Sequence, residues 1–167
     1  GIFNGKGFTI SGLSIDKNED QIGLFSVLKN ATIENLNIIA EEIKGNEAVG
    51  GLAGSAENSS IYNCSVEGDV YSDAKQAGLL LGRSVTSEIS HSHTKGSVFG
   101  NAAIAGLIGQ VGRGSEVTTS SARVQVISST QWSTLPLTSS LSLSRPPNDT
   151  KTTWTTPTRT AKPSLRG

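Results

Sequence analysis

The sequence has little of what most active sites are built from. It has no methionine, two histidines and one cysteine, and Phe, Tyr and Trp together make up only 5% of its 167 residues. A single cysteine, Cys64, excludes an internal disulfide and a metal site built from several cysteines. No apolar run approaches the roughly 20 residues of a membrane-spanning helix, so no membrane insertion is expected from these residues. The formal charge is zero, but it is unevenly divided. Residues 1–127 carry nine Lys and Arg against thirteen Asp and Glu, whereas residues 128–167 carry five against one. The acidic body lacks the clustered Lys and Arg of a nucleic-acid surface, and no nucleic-acid partner is expected. The chain opens mid-pattern at "GIFNGKGFTISGLSI", which reads as part of a longer protein, so a missing leader is uninformative.

What the chain does have is a repeat. "IGLFS", "GGLAG", "AGLLLG" and "AGLIG" place a leucine at Leu24, Leu52, Leu80 and Leu107, the last copy being one residue short. Further along, Ile33, Ile61, Ile89 and Val117 recur at a constant step of 28. The same step relates Asn35, Asn63, His91 and Thr119, and then Leu36, Cys64, Ser92 and Ser120. It also relates Ile38, Val66, Thr94 and Ala122, and later Val70, Val98 and Val126.

The spacing within a unit indicates strands. Ile61 and Asn63 share one parity, and Cys64, Val66, Gly68 and Val70 the other, so the strand face changes between Asn63 and Cys64. That change predicts a bend. No segment carries the i, i+3, i+4, i+7 stripe of a surface helix. A unit of two or three short strands buries too few aliphatics to hold a core alone, whereas stacked units align Ile33, Ile61, Ile89 and Val117 into one interior row. The glycines suit such a stack in two ways, by admitting positive φ at corners and by allowing close backbone approach. The predicted fold is all-β: a right-handed parallel β-solenoid of about four 28-residue rungs over residues 1–127. Its copies lie near 20–47, 48–75, 76–103 and 104–127.

"VGGLAG…SIYNCSVEGDV" and "AGLLLG…EISHSHTKGSV" resemble the GLUG motif, named for its Gly-Leu-any-Gly core. "FNGKGFTISGLSI" is similar to the segment that precedes such repeats and forms a first rung. The residues that carry the resemblance are Gly23, Leu24, Gly51, Leu52, Gly54, Gly78, Leu80, Gly82, Gly106, Leu107 and Gly109, with the Ile33 and Asn35 columns. Ser26 departs from it in the position of the last glycine of copy one, and copy four has no glycine after Gln125-Val126. The resemblance implies solenoid segments of large secreted or surface-attached bacterial proteins, including adhesins and the non-catalytic regions of immunoglobulin A1 peptidases. It implies no active site.

Few residues qualify as sites. His91 and His93 form "HSH", and two same-face histidines on a strand suit a metal. Against that, His91 stands in the column of Asn35 and Asn63, where stacked polar side chains satisfy one another, and no third ligand joins the pair. Cys64 shares the column of Leu36 and reads as a small buried hydrophobe, since nothing beside it supplies a base. Carboxylate pairs such as Glu41-Glu42 and Glu67/Asp69 raise the alternative of a polysaccharide lyase or hydrolase. Glu67, however, aligns with Lys95 and Arg123 as a surface charge ladder. The sequons Asn30-Ala31-Thr32 and Asn58-Ser59-Ser60 are short enough to arise by chance.

From residue 128 the composition changes. All five prolines and both tryptophans lie in 128–167, together with eight serines and ten threonines. Such a segment buries too little apolar surface to order itself. Pro157 and Trp154 interrupt its threonines as a flat ice-binding array. "KTTWTTPTRTAK" read one nucleotide earlier can encode an Asp-rich run similar to the calcium-binding repeats of thrombospondin type 3. The tail is therefore expected to be disordered, or to have been read in a shifted frame. No cofactor is expected, and calcium enters only with that second frame. The expectation for the whole is a non-catalytic, structural or adhesive segment at the cell surface or outside the cell. Rows of Tyr62, Tyr71, Glu67, Lys95 and Arg123 would face glycans or surface proteins.

Overall fold

The computed structural model describes residues 1–129 together with Thr153 and Trp154. Apart from its first two residues and that pair, the tail and the expectations placed on it lie outside the described residues. The body is a β-solenoid whose strands fall into three parallel sheets. Sheet A is built from short strands, β1 (Ile2–Asn4), β4 (Thr32–Glu34), β7 (Ser60–Tyr62), β10 (Glu88–Ser90) and β14 (Glu116–Thr118). Sheet B contains β2 (Thr9–Asp16), β5 (Asn37–Gly50), β8 (Ser65–Gly78), β11 (His93–Gly100) and β15 (Ser121–Ser128). A short β12 (Ala102–Ala105) pairs with the far end of β8, and β16 (Thr153–Trp154) pairs with Arg123–Val124 of β15. Sheet C contains β3 (Phe25–Lys29), β6 (Ala53–Glu57), β9 (Leu81–Val85) and β13 (Ile108–Val111). The chain visits A, B and C in rotation and makes about five turns, one more than the repeat copies suggest, because Ile2–Asp16 completes a turn of its own.

The rows expected from the 28-residue step are the registers of the sheets. Ile33 pairs with Ile61, Ile61 with Ile89 and Ile89 with Val117. The three isoleucines are buried, but Val117 is 38% exposed because among the described residues no strand of sheet A lies beyond β14. Leu81 pairs with Ile108 at a step of 27, which places the shortened fourth copy where its leucine column predicts.

Every corner is turned by left-handed backbone. Between sheets C and A it falls at Asn30, Asn58, Thr86 and Gly114. Between A and B it falls at Gly7, Asn35, Asn63, His91 and Thr119, at the predicted bend. On the way from B to C it falls at Gln21, in the link from β2 to β3, and at Ala48, Gln76 and Ala103, inside β5, β8 and β12 a few residues before the chain enters sheet C. Asparagine tolerates this region better than other residues with a Cβ, because its short side chain bonds locally.

The motif glycines therefore do something other than supply positive φ, which none of them has. A Cβ on Gly82 would stand 2.5 Å from the Val49 nitrogen, and one on Gly50 would stand 2.7 Å from the Gly82 nitrogen. The end of each B strand lies backbone against backbone with the C strand that follows, which leaves no room for side chains. Ser26 explains its own departure. In the first C strand it is exposed, whereas its counterpart Gly54 lies against Gln21 and Ile22 of the preceding turn.

The core is one cluster running along the axis, with Leu36, Ile38, Ile43, Leu52, Ile61, Leu80 and Ile89 among its largest buried side chains. Buried serines line the corners in two ladders. The Ala31 and Ser59 amides donate to Ser59 Oγ and Ser87 Oγ one rung on, and the Cys64 and Ser92 amides donate to Ser92 Oγ and Ser120 Oγ. Each of these ladder hydroxyls that donates does so to the carbonyl two residues earlier, as Ser59 does to Glu57 and Ser92 to Ser90. Each of these ladder hydroxyls is thus satisfied on both sides, whereas Ser55 Oγ and Ser84 Oγ are buried with no partner among the described residues.

Candidate functional site

Side chains that point away from the axis stand in rows, because parallel in-register pairing repeats each position at the strand spacing of about 4.8 Å. Sheet B carries the most varied of these rows. One runs Ile39, Glu67, Lys95, Arg123, and in it Lys95 Nζ lies 2.6 Å from Glu67 Oε1. The next but one runs Lys44, Tyr71, Phe99, Ile127. Tyr71 and Phe99 stack with ring centroids 4.4 Å apart and planes 4° from parallel. Stacking leaves Tyr71, expected as an exposed side chain, half-buried, and burial and the nearby Asp69 and Glu42 carboxylates push its phenol pKa up. Each ring spends one face on its neighbour, so the pair offers mainly ring edges to solvent.

The polar columns behave as ladders. Asn63 donates from Nδ2 to Asn35 Oδ1 at 2.7 Å, and Asn35 donates in turn to Asn4 Oδ1 at 3.3 Å. The column changes character at His91, whose ring lies 5.1 Å from the Tyr62 ring. His93 opens β11 in a different sheet and places Nδ1 2.8 Å from Ser121 Oγ. His91 thus stands at the corner and His93 just past it, with buried Ser92 between them, and the two do not share one strand face. Among the described residues no three His, Cys, Asp or Glu side chains group as a metal site.

Cys64 is buried between the ladders, and its thiol donates to the carbonyl of Tyr62 at 3.4 Å. Burial pushes the thiol pKa up, partly offset by a backbone hydrogen bond with Leu36. A thiol held protonated in this way is inert packing rather than a nucleophile.

Several rung-to-rung contacts escaped the sequence reading. A second asparagine ladder joins Asn58 Nδ2 to Asn30 Oδ1, within the two sequons. Ion pairs join Lys29 to Glu57 and Lys75 to Glu47. All three follow the same step of 28, so the signal for them was present. A cavity of about 490 Å³ opens at the C-terminal end of the stack, lined by residues including Ile104, Leu107, Val117 and Val124.

Residues 45–71 match the family model of the GLUG motif. The chain carries a GLUG motif. The matched stretch runs from the end of β5 through β6 and β7 into β8, which is one full circuit of the solenoid. Its Gly-Leu-any-Gly core, Gly51 to Gly54, is the reversal between sheets B and C where backbones meet without side chains. No curated protein and no solved structure matches the chain. The GLUG turn is thus a unit of stacking, and its glycines serve the contact between turns.

Proposed function

We propose that this chain is a non-catalytic structural segment of a secreted or cell-surface bacterial protein, which holds its outward rows toward extended partners. Glycans and surface proteins are the partners this reading favours. One observation carries it: Ile33, Ile61, Ile89 and Val117 pair in register through successive rungs, so inward side chains are spent on stacking and the outward rows are left to meet a partner. Glu67, Lys95 and Arg123 on sheet B vary in charge from rung to rung while staying in register. An extended polymer lying along the axis meets one such side chain per rung.

The test is to present the full chain to a panel of glycans and to follow both retention and release of reducing ends. Retention without release supports the adhesive reading. Release of reducing sugar overturns it in favour of a polysaccharide-active enzyme working along the same face.

A further inference from the structure

Charge runs in one direction along the solenoid. Residues 1–78, through the end of β8, carry five Lys and Arg against eleven Asp and Glu, whereas residues 79–129 carry four against two. Sheet B shows the division on one face. There β5 and β8 hold six carboxylates against two lysines, while β11 and β15 hold Lys95 and Arg123 and no carboxylate. Glu41, Glu42, Glu67, Lys95 and Arg123 are all exposed, and pairing in register sets Ile39, Glu67, Lys95 and Arg123 in one row. Ile39 stands in that row with 47% of its surface open.

A face that is acidic at one end and basic at the other repels a copy of itself laid parallel and attracts one laid antiparallel. We propose that the partner of sheet B is a second copy of this chain, packed face to face with its axis reversed. The proposal rests on the reading above that the outward rows of sheet B meet a partner, and it names that partner. A two-fold axis along the strands, between β8 and β11, closes the pair as a dimer. It sets β8 over β11 of the second copy, and β5 over β15.

Glu67 and Lys95, 2.6 Å apart within one chain, then meet Lys95 and Glu67 of the other, so that four charges alternate. Ile39 and the pair Glu41 and Glu42 fall opposite Arg123 of the second copy, whose aliphatic stem suits the first and whose guanidinium suits the second. Four strands about 4.8 Å apart, each of eight residues at about 3.3 Å, make a face that buries about 1,000 Å² between two copies. That is the lower bound for a specific interface, so the dimer is reversible and governed by charge.

Sedimentation equilibrium of the full chain tests the proposal. At about 0.1 mM and low salt the chain should form a dimer, with a dissociation constant that rises at least about tenfold as salt is raised to about 0.5 M. Lys95→Glu with Arg123→Glu should leave a monomer, and so should Glu41→Lys, Glu42→Lys and Glu67→Lys together. A parallel pair would be indifferent to either reversal, since it sets like against like in both cases. Mixed in equal amounts, the two variants should pair with each other while keeping the circular dichroism of the parent, which misfolded chains cannot do. A chain that stays monomeric at low salt, a dimer that survives either reversal, or folded variants that do not pair when mixed overturns the proposal. A monomer that retains a glycan also overturns it and leaves the proposed function standing.

Discussion

Asn63 donates its side-chain amide to Asn35 Oδ1 at 2.7 Å while both residues hold left-handed backbone, at φ 50° and 54°. One residue type thus does two things at this corner: it turns the chain from sheet A to sheet B and ties each turn to the next. The two contributions separate by substitution. Asn63→Gly keeps the conformation and loses the ladder, at about 1 kcal/mol. Asn63→Ala loses both and adds about 1–2 kcal/mol of left-handed strain. Denaturant midpoints of the two variants should fall in that order, and equal midpoints would show that the backbone strain is absent.

Gly82→Ala should be among the most damaging substitutions of a small residue in this chain, because its Cβ would meet the Val49 nitrogen at 2.5 Å. A loss of about 3 kcal/mol is expected where packed backbones must part. Ser26→Gly should change stability little, since Ser26 is exposed. Thermal melts of both variants check the contrast.

The isoleucine row should lose value toward its open end. Ile61→Ala, at a position with no exposure, should cost about 2–5 kcal/mol. Val117→Ala, at 38% exposure, should cost well under half as much. Comparable losses at the two positions would mean that the end of the row is covered in solution.

Lys95 and Glu67 form an ion pair on an open surface, with side chains 62% and 52% exposed. A double-mutant cycle should return a coupling below about 1 kcal/mol, shrinking as salt is raised. A coupling that survives high salt would contradict the exposure of the pair.

The raised pKa of the Cys64 thiol sets the direction of an alkaline effect. Unfolding lets the thiol titrate at its ordinary value, near 8.5, while the folded chain keeps its proton to higher pH. The unfolded state therefore binds fewer protons above that value, and stability falls as pH rises through it toward the folded pKa. Cys64→Val should flatten this part of the profile. Tyr71, whose pKa is also raised, contributes in the same direction at higher pH and should remain in the variant. Denaturant midpoints at a series of alkaline pH values provide the measurement.

The sequence carried most of the architecture because a stacked solenoid writes its contacts as a period. Ile33, Ile61 and Ile89 are 28 residues apart in the chain and adjacent in space for the same reason, and the ion pairs Lys29–Glu57 and Lys75–Glu47 obey the same step. The parity change after Asn63 located a true corner. The histidines were harder. Two residues apart suggests one face of a strand, and only the left-handed φ of 52° at His91 sets it in the corner between sheets A and B, apart from His93 at the start of β11.

By itself, then, the sequence determined the repeat, the interior rows and the position of the A-to-B corner, since each is set by the alternation of a strand and by a period any reader can count. Tertiary structure alone decided what the glycines are for, how far Tyr71 is covered and which buried hydroxyls find a partner. Those depend on distances between backbones, rings and hydroxyls that meet only when one turn lies on another. A Gly-Leu-any-Gly run looks the same whether its glycines bend the chain or let two chain segments touch. Here Gly50 and Gly82 let them touch.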